Sequence, residues 1–153
     1  MKIYFAGAIY GGREKLKTYI KIQKFLESLG HEFLTKHVTG VGMATEETEF
    51  RKTPRESFAR NLSLMAQADC LIAEITLPSL GVGYEIAYAL HTRKIPVLAL
   101  FEKDKKHQVS AMMRGNTLPN YQILGYEEGE LKATIKNFLS KLRNFKFQIP
   151  ISK

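Results

Sequence analysis

A carboxylate, a serine and two glycines lie close together after an apolar run that ends at Ile75. The segment that follows, T-L-P-S-L-G-V-G-Y-E, continues into a helix-like stretch. Gly81 and Gly83 allow close approach to the backbone or a positive φ, and Ser79 adds a hydroxyl group. Because backbone N–H groups at a helix start favour an anion, this turn is a candidate anion site. In the alternative interpretation, Ser79 is a helix cap and the glycines serve packing alone.

Glu85 is the candidate nucleophile of this segment. The pattern places it in the first turn of the predicted helix, where the helix dipole stabilises a carboxylate whatever its role. Its neighbours Tyr84 and Ile86 are largely apolar, and a carboxylate beside an anion site can act as a nucleophile. Tyr4, on the first predicted strand, is either a core residue or a phenol that reaches the site, where Glu85 would accept its hydrogen bond.

A second glycine-rich turn, G-A-I-Y-G-G-R at residues 7–13, follows the first strand. Arg13 in this turn is either a bidentate phosphate ligand or a surface arginine at a helix start. No set of His, Cys and carboxylate residues has the sequence spacing of a metal site, and no G-x-S-x-G motif is present. The sequence therefore predicts neither a metal nor a serine nucleophile.

Strand-like and helix-like segments alternate along the chain, which predicts an α/β fold with a parallel sheet covered on both faces. In such sheets ligands bind beyond the carboxyl ends of the strands, where both glycine-rich turns lie. Residues 36–54 and 102–118 are predicted as loops, and we expect a single domain over residues 1–153. The predicted strands are 2–6, 31–34, 69–75, 95–101 and 121–124, and the predicted helices are 13–29, 55–67, 80–92 and 127–143.

Composition narrows the class of protein. Hydrophobic residues make up 44% and charged residues 25% of the chain, which is typical of a soluble globular protein. No apolar run approaches the ~20 residues of a membrane helix. The net charge of +8 comes from basic residues mixed with glutamates, so we expect no nucleic-acid polymer as partner, with attraction of a phosphorylated metabolite as an alternative. The single cysteine, Cys70, excludes an internal disulfide and predicts a buried thiol in a cytoplasmic protein.

Three segments together resemble a known family. I-Y-F-A-G-A-I-Y-G-G-R-E at 3–14, A-D-C-L-I-A-E-I-T-L-P-S-L-G-V-G-Y-E-I at 68–86 and V-S-A-M-M-R-G at 109–115 are similar to the 2′-deoxynucleoside 5′-phosphate N-hydrolases of the nucleoside 2-deoxyribosyltransferase family. L-T-K-H-V at 34–38 and Y-E-E-G-E at 126–130 also match, so the similarity covers nearly the whole chain in order. The string P-S-L-G-V-G-Y-E is the most specific part of the match.

The resemblance implies a flavodoxin-like doubly wound sheet of five parallel strands, a homodimer, and an enzyme that needs no cofactor. It implies cleavage of the bond between the base and C1′ of a 2′-deoxynucleoside 5′-monophosphate. Glu85 matches the family's nucleophile, which forms a covalent deoxyribosyl-enzyme that water then hydrolyses. Tyr4 matches the tyrosine that positions this carboxylate.

The same match implies the substrate contacts. Ser79 and Gly81 match phosphate-binding positions. Ser110 matches a serine that reaches the phosphate in the neighbouring subunit's site, and His37 matches a histidine on the base side of the pocket. The other substrate-binding positions implied by the match are Gly7, Ile9, Arg13 and Met112.

Three departures from the family pattern leave other functions open. Ala8 and Tyr10 replace a serine and an arginine that contact phosphate, which favours a deoxyribosyltransferase acting on free nucleosides. Asn61 replaces the aspartate that protonates the leaving base. General-acid catalysis of this kind raises the reaction rate roughly 100- to 10,000-fold. An asparagine can only hydrogen-bond to the base, which favours a nucleotide-binding module without catalysis, although Glu85 and Tyr4 oppose that reading. A hydrolase of ribonucleotides such as CMP is a further alternative.

Overall fold

The computed structural model describes residues 1–9, 13–40 and 52–146, with the backbone alone for Arg13 and residues 143–146. None of the helices in these ranges is long and apolar enough to cross a membrane. The strands are β1 (Lys2–Ala6), β2 (Glu32–Phe33), β3 (Cys70–Glu74), β4 (Val97–Glu102) and β5 (Tyr121–Tyr126). The α-helices are α1 (Leu16–Ser28), α2 (Lys36–Thr39), α3 (Pro54–Gln67), α4 (Leu80–Ala87), α5 (Ala111–Arg114) and α6 (Leu131–Lys146). A π-helical segment, Tyr88–Arg93, continues α4, and 3-10 helices span Arg13–Lys15 and Lys103–Gln108.

The five strands form one sheet in the order β2-β1-β3-β4-β5, and every neighbouring pair is parallel. The chain passes from β1 outward to β2 and then returns to β3 on the other side of β1. The predicted doubly wound parallel sheet is confirmed. Because the winding reverses here, the crevice at the carboxyl ends of β1 and β3 is the expected ligand site.

Alternation of side chains along the strands divides the core into two layers. Ile3 and Phe5 of β1 pack with residues of α1 and α6, whereas Tyr4 and Ala6 pack with residues of α3 and α4. All four side chains are buried. Tyr4 therefore lies on the face of the sheet that α4, the helix of Glu85, covers.

Local sequence signals explain where α3 begins. Thr53 is the N-cap: its side chain accepts a hydrogen bond from the backbone N–H of Glu56, whose carboxylate accepts one from the backbone N–H of Thr53. Pro54 fits the first helical position because it has no N–H to leave unsatisfied. This capping box starts the helix that brings Asn61 to Glu85 of α4.

Several predicted boundaries were wrong. The predicted loop 36–54 starts with α2, and the predicted loop 102–118 contains a 3-10 helix and α5. The last helix starts at Leu131 and not at residue 127, because β5 continues to Tyr126, which pairs with Glu102 of β4. Pairing with β4 sets the end of β5, and the local sequence around Tyr126 does not show it.

Candidate active site

Glu85 lies in the second turn of α4. The helix begins at Leu80, after Ser79, whose Oγ accepts a hydrogen bond from the backbone N–H of Val82 at 3.3 Å. Ser79 is therefore an N-cap, as one of the two sequence interpretations held. The prediction that Glu85 occupies the first turn was wrong, because the helix starts a full turn before it. The dipole effect falls off within the first turn, so it does not account for a carboxylate at this position.

Tyr4 holds Glu85 by a short hydrogen bond. Its hydroxyl donates to Oε1 of Glu85 at 2.6 Å, across 81 residues of sequence, although the tyrosine is fully buried. Burial raises the pKa of Tyr4, so the phenol stays protonated and acts as a donor. Burial also raises the pKa of Glu85 to about 7, against the hydrogen bond from Tyr4 and the charge of Arg60, which lower it. The carboxylate is thus poised to titrate near neutral pH.

Asn61 of α3 contacts the same oxygen of Glu85. Its Nδ2 donates to Oε1 of Glu85 at 3.2 Å, while its Oδ1 accepts hydrogen bonds from Nε and Nη2 of Arg60 at 3.2 and 3.1 Å. The structure brings Tyr4, Asn61 and Glu85 into one cluster. The sequence pattern predicted that Asn61 contacts the leaving base, whereas in the structure its amide donates a hydrogen bond to the carboxylate of Glu85.

Sequence reasoning missed Arg60. The available signal was the string A-R-N at 59–61, in which an arginine precedes the asparagine that replaces an acid. Consecutive residues on a helix do not normally face one another. The contact between the Arg60 and Asn61 side chains was therefore not predictable from their spacing.

A buried polar cluster fixes the loop between β3 and α4. Thr76 donates a hydrogen bond to Oε1 of Glu74, and Tyr126 donates to the same oxygen at 3.0 Å. The Thr76 hydroxyl also accepts from the backbone N–H of Glu102 at 2.9 Å. Glu74 is fully buried, and burial raises its pKa. These bonds tie the loop that leads to Ser79 to the ends of β4 and β5.

Ser79 and Ser110 line one cavity of about 520 Å³ beside α4 and α5. Ser110 is the N-cap of α5, where its Oγ accepts a hydrogen bond from the backbone N–H of Met112 at 3.2 Å. The Met112 side chain itself is 82% exposed. Glu85 does not line this cavity. The two serines thus form a group of their own, separate from the cluster around Glu85.

The glycines of α4 have no packing reason among the described residues. Neither Gly81 nor Gly83 has a positive φ. A Cβ atom on Gly81 would meet only Oγ of Ser79, at 3.8 Å, and one on Gly83 would meet only Cε of Met113, at 3.7 Å. The positive φ considered from the sequence is therefore wrong, and no contact among the described residues requires a glycine at either position. Close approach of a ligand to this backbone stays a prediction.

The turn after β1 starts with a glycine that packing requires. A Cβ atom on Gly7 would lie 2.8 Å from Cζ of Tyr19, so any larger residue would push against this ring. Ala8 is buried and Ile9 is half-buried. The substrate contacts predicted for Gly7 and Ile9 stay predictions. For Gly7, packing against Tyr19 already explains why the residue is a glycine.

The remaining predicted residues are described in part. Tyr10 and the side chain of Arg13 lie outside the described residues, so the phosphate contact of Arg13 stays a prediction. His37 is half-buried on α2 and makes contacts within the protein. In the described part of the chain, no three His, Cys or carboxylate side chains are grouped so as to hold a metal ion.

Replacing Glu85 by glutamine should stabilise the fold above neutral pH. The folded pKa of about 7 exceeds the ordinary value of 4.5, so folding opposes ionisation of this carboxyl group. Its contribution to stability is therefore lost as the pH rises from 4.5 through 7. We expect Glu85→Gln to raise the free energy of unfolding at pH 8 by on the order of 2 kcal/mol, with no such gain at pH 4. Urea denaturation at both pH values measures this, and an equal gain at pH 4 would contradict it.

Comparison with known proteins gives the family. The family model described as nucleoside 2-deoxyribosyltransferase matches residues 3–140. A protein of Methanosarcina mazei, provisionally named 2′-deoxynucleoside 5′-phosphate N-hydrolase 1, is 44% identical over 141 residues, which span 92% of this chain and 84% of that protein. The 5-hydroxymethyl-dUMP N-hydrolase of Homo sapiens is 36% identical over 137 residues, which span 89% of this chain and 78% of that protein.

A solved structure shows the same fold. The CMP N-glycosidase of Clostridium botulinum matches with a TM-score of 0.67 over 90% of this chain and 99% of that chain, at 20% sequence identity. At this identity the likeness concerns the fold alone, and it agrees with the flavodoxin-like sheet predicted from the motifs. The family model and the two relatives match most of the chain by sequence, and they therefore establish the family as well as the fold. The chain belongs to the nucleoside 2-deoxyribosyltransferase family.

Proposed function

We propose that this protein hydrolyses the N-glycosidic bond of 2′-deoxynucleoside 5′-monophosphates and releases the free base and deoxyribose 5-phosphate. The observation that carries the proposal is the Glu85 carboxylate, which Tyr4 and Asn61 hold on one oxygen at the switch point of the sheet. Relatives at 44% and 36% identity are named as N-hydrolases of such nucleotides. We also propose that the protein works in the cytoplasm, where free nucleotides are made and used.

The proposed reaction divides one displacement into two. First, an oxygen of Glu85 bonds to C1′ while the C1′–N bond breaks and its electron pair leaves with the base. The base takes a proton from solvent, because the amide of Asn61 has none to give. Water then bonds to C1′, its spare proton passes to solvent, and Glu85 leaves as a carboxylate. The ionised form of Glu85 attacks, so the hydrogen bond from Tyr4, which favours that form, supports the first step.

We assign the 5′-phosphate to the start of α4. Ser79 and Ser110 supply hydroxyl groups to the cavity there, and a helix N-terminus favours an anion. A Cβ atom on Gly81 would contact only Oγ of Ser79 among the described residues, at 3.8 Å, so no protein contact there requires a glycine and the small residue suits a ligand close to the backbone. On the family match alone, we further assign Arg13, Gly7, Ile9 and Met112 to substrate binding and His37 to the base side.

We propose that the active form is a homodimer in which Ser110 of the partner subunit completes the site. Leu80 is 97% exposed and Met112 is 82% exposed. Phe58 and Tyr84 are also exposed, and their ring centroids lie 6.2 Å apart. Apolar surface of this kind on α3, α4 and α5 supports burial against a second copy of the chain.

Ser110→Ala should selectively lower the activity of the enzyme on monophosphate substrates. A hydrogen bond to a charged phosphate is worth enough that its loss should lower kcat/KM for deoxynucleoside monophosphates by roughly 10- to 100-fold. Free deoxynucleosides, which lack the phosphate, should be unaffected. Ser140→Ala, at an exposed position on α6, is the matched control. Equal losses with and without the 5′-phosphate would remove Ser110 from the phosphate site.

Mixed dimers decide which subunit Ser110 serves. Within one chain Ser110 lines the same cavity as Ser79, so it can act on its own site or on the partner's. If it acts on the partner's site, mixing the Glu85→Gln and Ser110→Ala variants creates one complete site in each mixed dimer, and activity rises above either parent. No rise on mixing, with subunit exchange verified, would assign Ser110 to its own site.

Chromatography of the products tests the proposed function itself. The substrates are the four 2′-deoxynucleoside monophosphates, the free deoxynucleosides and CMP, each with and without a second free base. We expect base and deoxyribose 5-phosphate from the deoxynucleoside monophosphates. Base exchange on free nucleosides would instead show the transferase that Ala8 and Tyr10 favour, and release from CMP alone would show a ribonucleotide hydrolase. Thermal stabilisation by nucleotides without any base release would show a binding module.

A further inference from the structure

Arg60 takes part in a hydrogen-bond chain that reaches the proposed nucleophile. Its Nε and Nη2 donate to Oδ1 of Asn61 at 3.2 and 3.1 Å, and Nδ2 of Asn61 donates to Oε1 of Glu85 at 3.2 Å. Arg60 and Asn61 are half-buried on α3, and Glu85 is half-buried on α4. The chain of bonds thus joins the two helices at the proposed reaction centre.

Arg60 determines which way the amide of Asn61 faces. A guanidinium group carries only donors, so the amide oxygen must face it. The amide nitrogen then faces Glu85, whose ionised carboxylate carries only acceptors. The reverse orientation would oppose N–H to N–H at one end and oxygen to oxygen at the other. Within the described ranges, the Asn61 side chain has no further hydrogen bond that could fix its orientation in place of Arg60.

The two donors to Glu85 meet on a single oxygen. Oε1 accepts from the Tyr4 hydroxyl at 2.6 Å and from Asn61 at 3.2 Å. None of the described side chains donates to Oε2. An ionised carboxylate has about two acceptor sites on each oxygen. Oε1 is therefore occupied, and the lone pairs of Oε2 are left for a bond to carbon.

We propose that Arg60 is a positioning residue: it fixes the Asn61 amide so that a second hydrogen bond reaches Oε1 of Glu85, and Oε2 becomes the oxygen that attacks C1′. The inference rests on the proposed function, since attack on C1′ is its first step. It also gives Asn61 a role other than that of an impaired acid. An aspartate at position 61 would set a second carboxylate at hydrogen-bond distance from Glu85, whereas the neutral amide transmits the effect of Arg60 without adding charge.

The charged and titratable groups that act on Glu85 come from two packed elements. Tyr4 of β1 and Arg60 of α3 both lower the pKa of this carboxyl group, against the effect of burial. Loss of the guanidinium removes its charge and also releases the amide of Asn61. Both changes disfavour the ionised form, so the acid limb of the pH–rate profile should move to higher pH.

The test compares Arg60→Met, Arg60→Lys and a control, Arg55→Met, which changes an exposed arginine on the same helix. A ¹³C NMR titration of the Glu85 carboxyl carbon gives its pKa without requiring turnover, and kcat/KM for deoxynucleoside monophosphates is measured across pH. We expect Arg60→Met to raise the pKa of Glu85 by roughly one unit and to lower kcat/KM at pH 7 by about 10- to 100-fold. Arg60→Lys keeps the charge but not the two-point contact, so it should shift the pKa less while still lowering kcat. Arg55→Met should change neither quantity.

A folded Arg60→Met variant with the wild-type pKa of Glu85 and the wild-type acid limb would overturn the proposal. If that variant does not fold, Arg60→Lys decides, because wild-type kcat together with a wild-type pKa would overturn the proposal as well. Failure of the proposed function looks different. The wild-type protein would then release no base, while the NMR titration would still report whether Arg60 acts on Glu85.

Discussion

Glu85→Gln should abolish turnover, with kcat falling by at least about 10⁴-fold. The amide has no carboxylate oxygen that can bond to C1′. It retains the size of glutamate and an oxygen in the place where Tyr4 donates at 2.6 Å, so the site should keep its shape. Binding of deoxynucleoside monophosphates should survive, because the serines of the phosphate cavity are unchanged. Base release by chromatography and nucleotide binding by calorimetry measure the two effects separately.

Glu32→Gln is the matched control for this loss. It removes an exposed carboxylate from β2, whose ion pair among the described residues is a surface contact with Lys2 at 3.9 Å. This control should keep the wild-type kcat. If Glu85→Gln turned over within tenfold of the wild type, water or another group would be attacking C1′, and the role of Glu85 as nucleophile would be refuted.

Tyr4→Phe should move the acid limb of the pH–rate profile upward. In the wild type, kcat/KM should fall below pH about 7, where Glu85 takes up a proton. The Tyr4 hydroxyl donates to the ionised form and lowers this pKa, so its removal raises it. A hydrogen bond to a charged group is worth about 1.5–3 kcal/mol, which corresponds to a rise of roughly one to two units. At pH 6 the variant should therefore lose roughly 10- to 100-fold more activity than at high pH, where both enzymes are ionised.

Tyr121→Phe separates this effect from the loss of any buried hydroxyl. Tyr121 is also a buried tyrosine of the sheet, but its hydroxyl lies 3.9 Å from the sulfur of Met113 and bonds no carboxylate among the described residues. The acid limb of the pH–rate profile of Tyr121→Phe should therefore match that of the wild type. A Tyr4→Phe variant that lost the same factor at every pH would mean that Tyr4 places Glu85 without setting its ionisation.

The fold was predictable because its signals are local. Runs such as C-L-I-A-E in β3 and V-L-A-L-F in β4 are buried on both faces and are therefore almost wholly apolar, and they alternate with helical patterns. One boundary error falls where pairing with a strand that is distant in sequence decides the end of an element. The register of β4 with β5 extends the last strand to Tyr126, and no local feature marks that end.

The contact between Tyr4 and Glu85 was predictable for a chemical reason, since a buried phenol needs an acceptor and few are available in an apolar core. The role of Arg60 was not predictable, because Arg60 acts on Glu85 through its helix neighbour Asn61. The burial of Glu74 was also missed. A charged residue at the end of an apolar strand normally marks the point where the strand reaches solvent. Glu74 is instead fully buried and accepts hydrogen bonds from Thr76 and Tyr126. Both cases depend on which side chains meet in space, and one-dimensional spacing does not contain that information.

Mass spectrometry of the protein after a rapid acid quench during turnover of a deoxynucleoside monophosphate tests the covalent role of Glu85 most directly. We expect a covalent adduct with the mass of a deoxyribose 5-phosphate residue, located on the peptide that contains Glu85 and absent from Glu85→Gln. Base release without any adduct, or an adduct on a different residue, would contradict it.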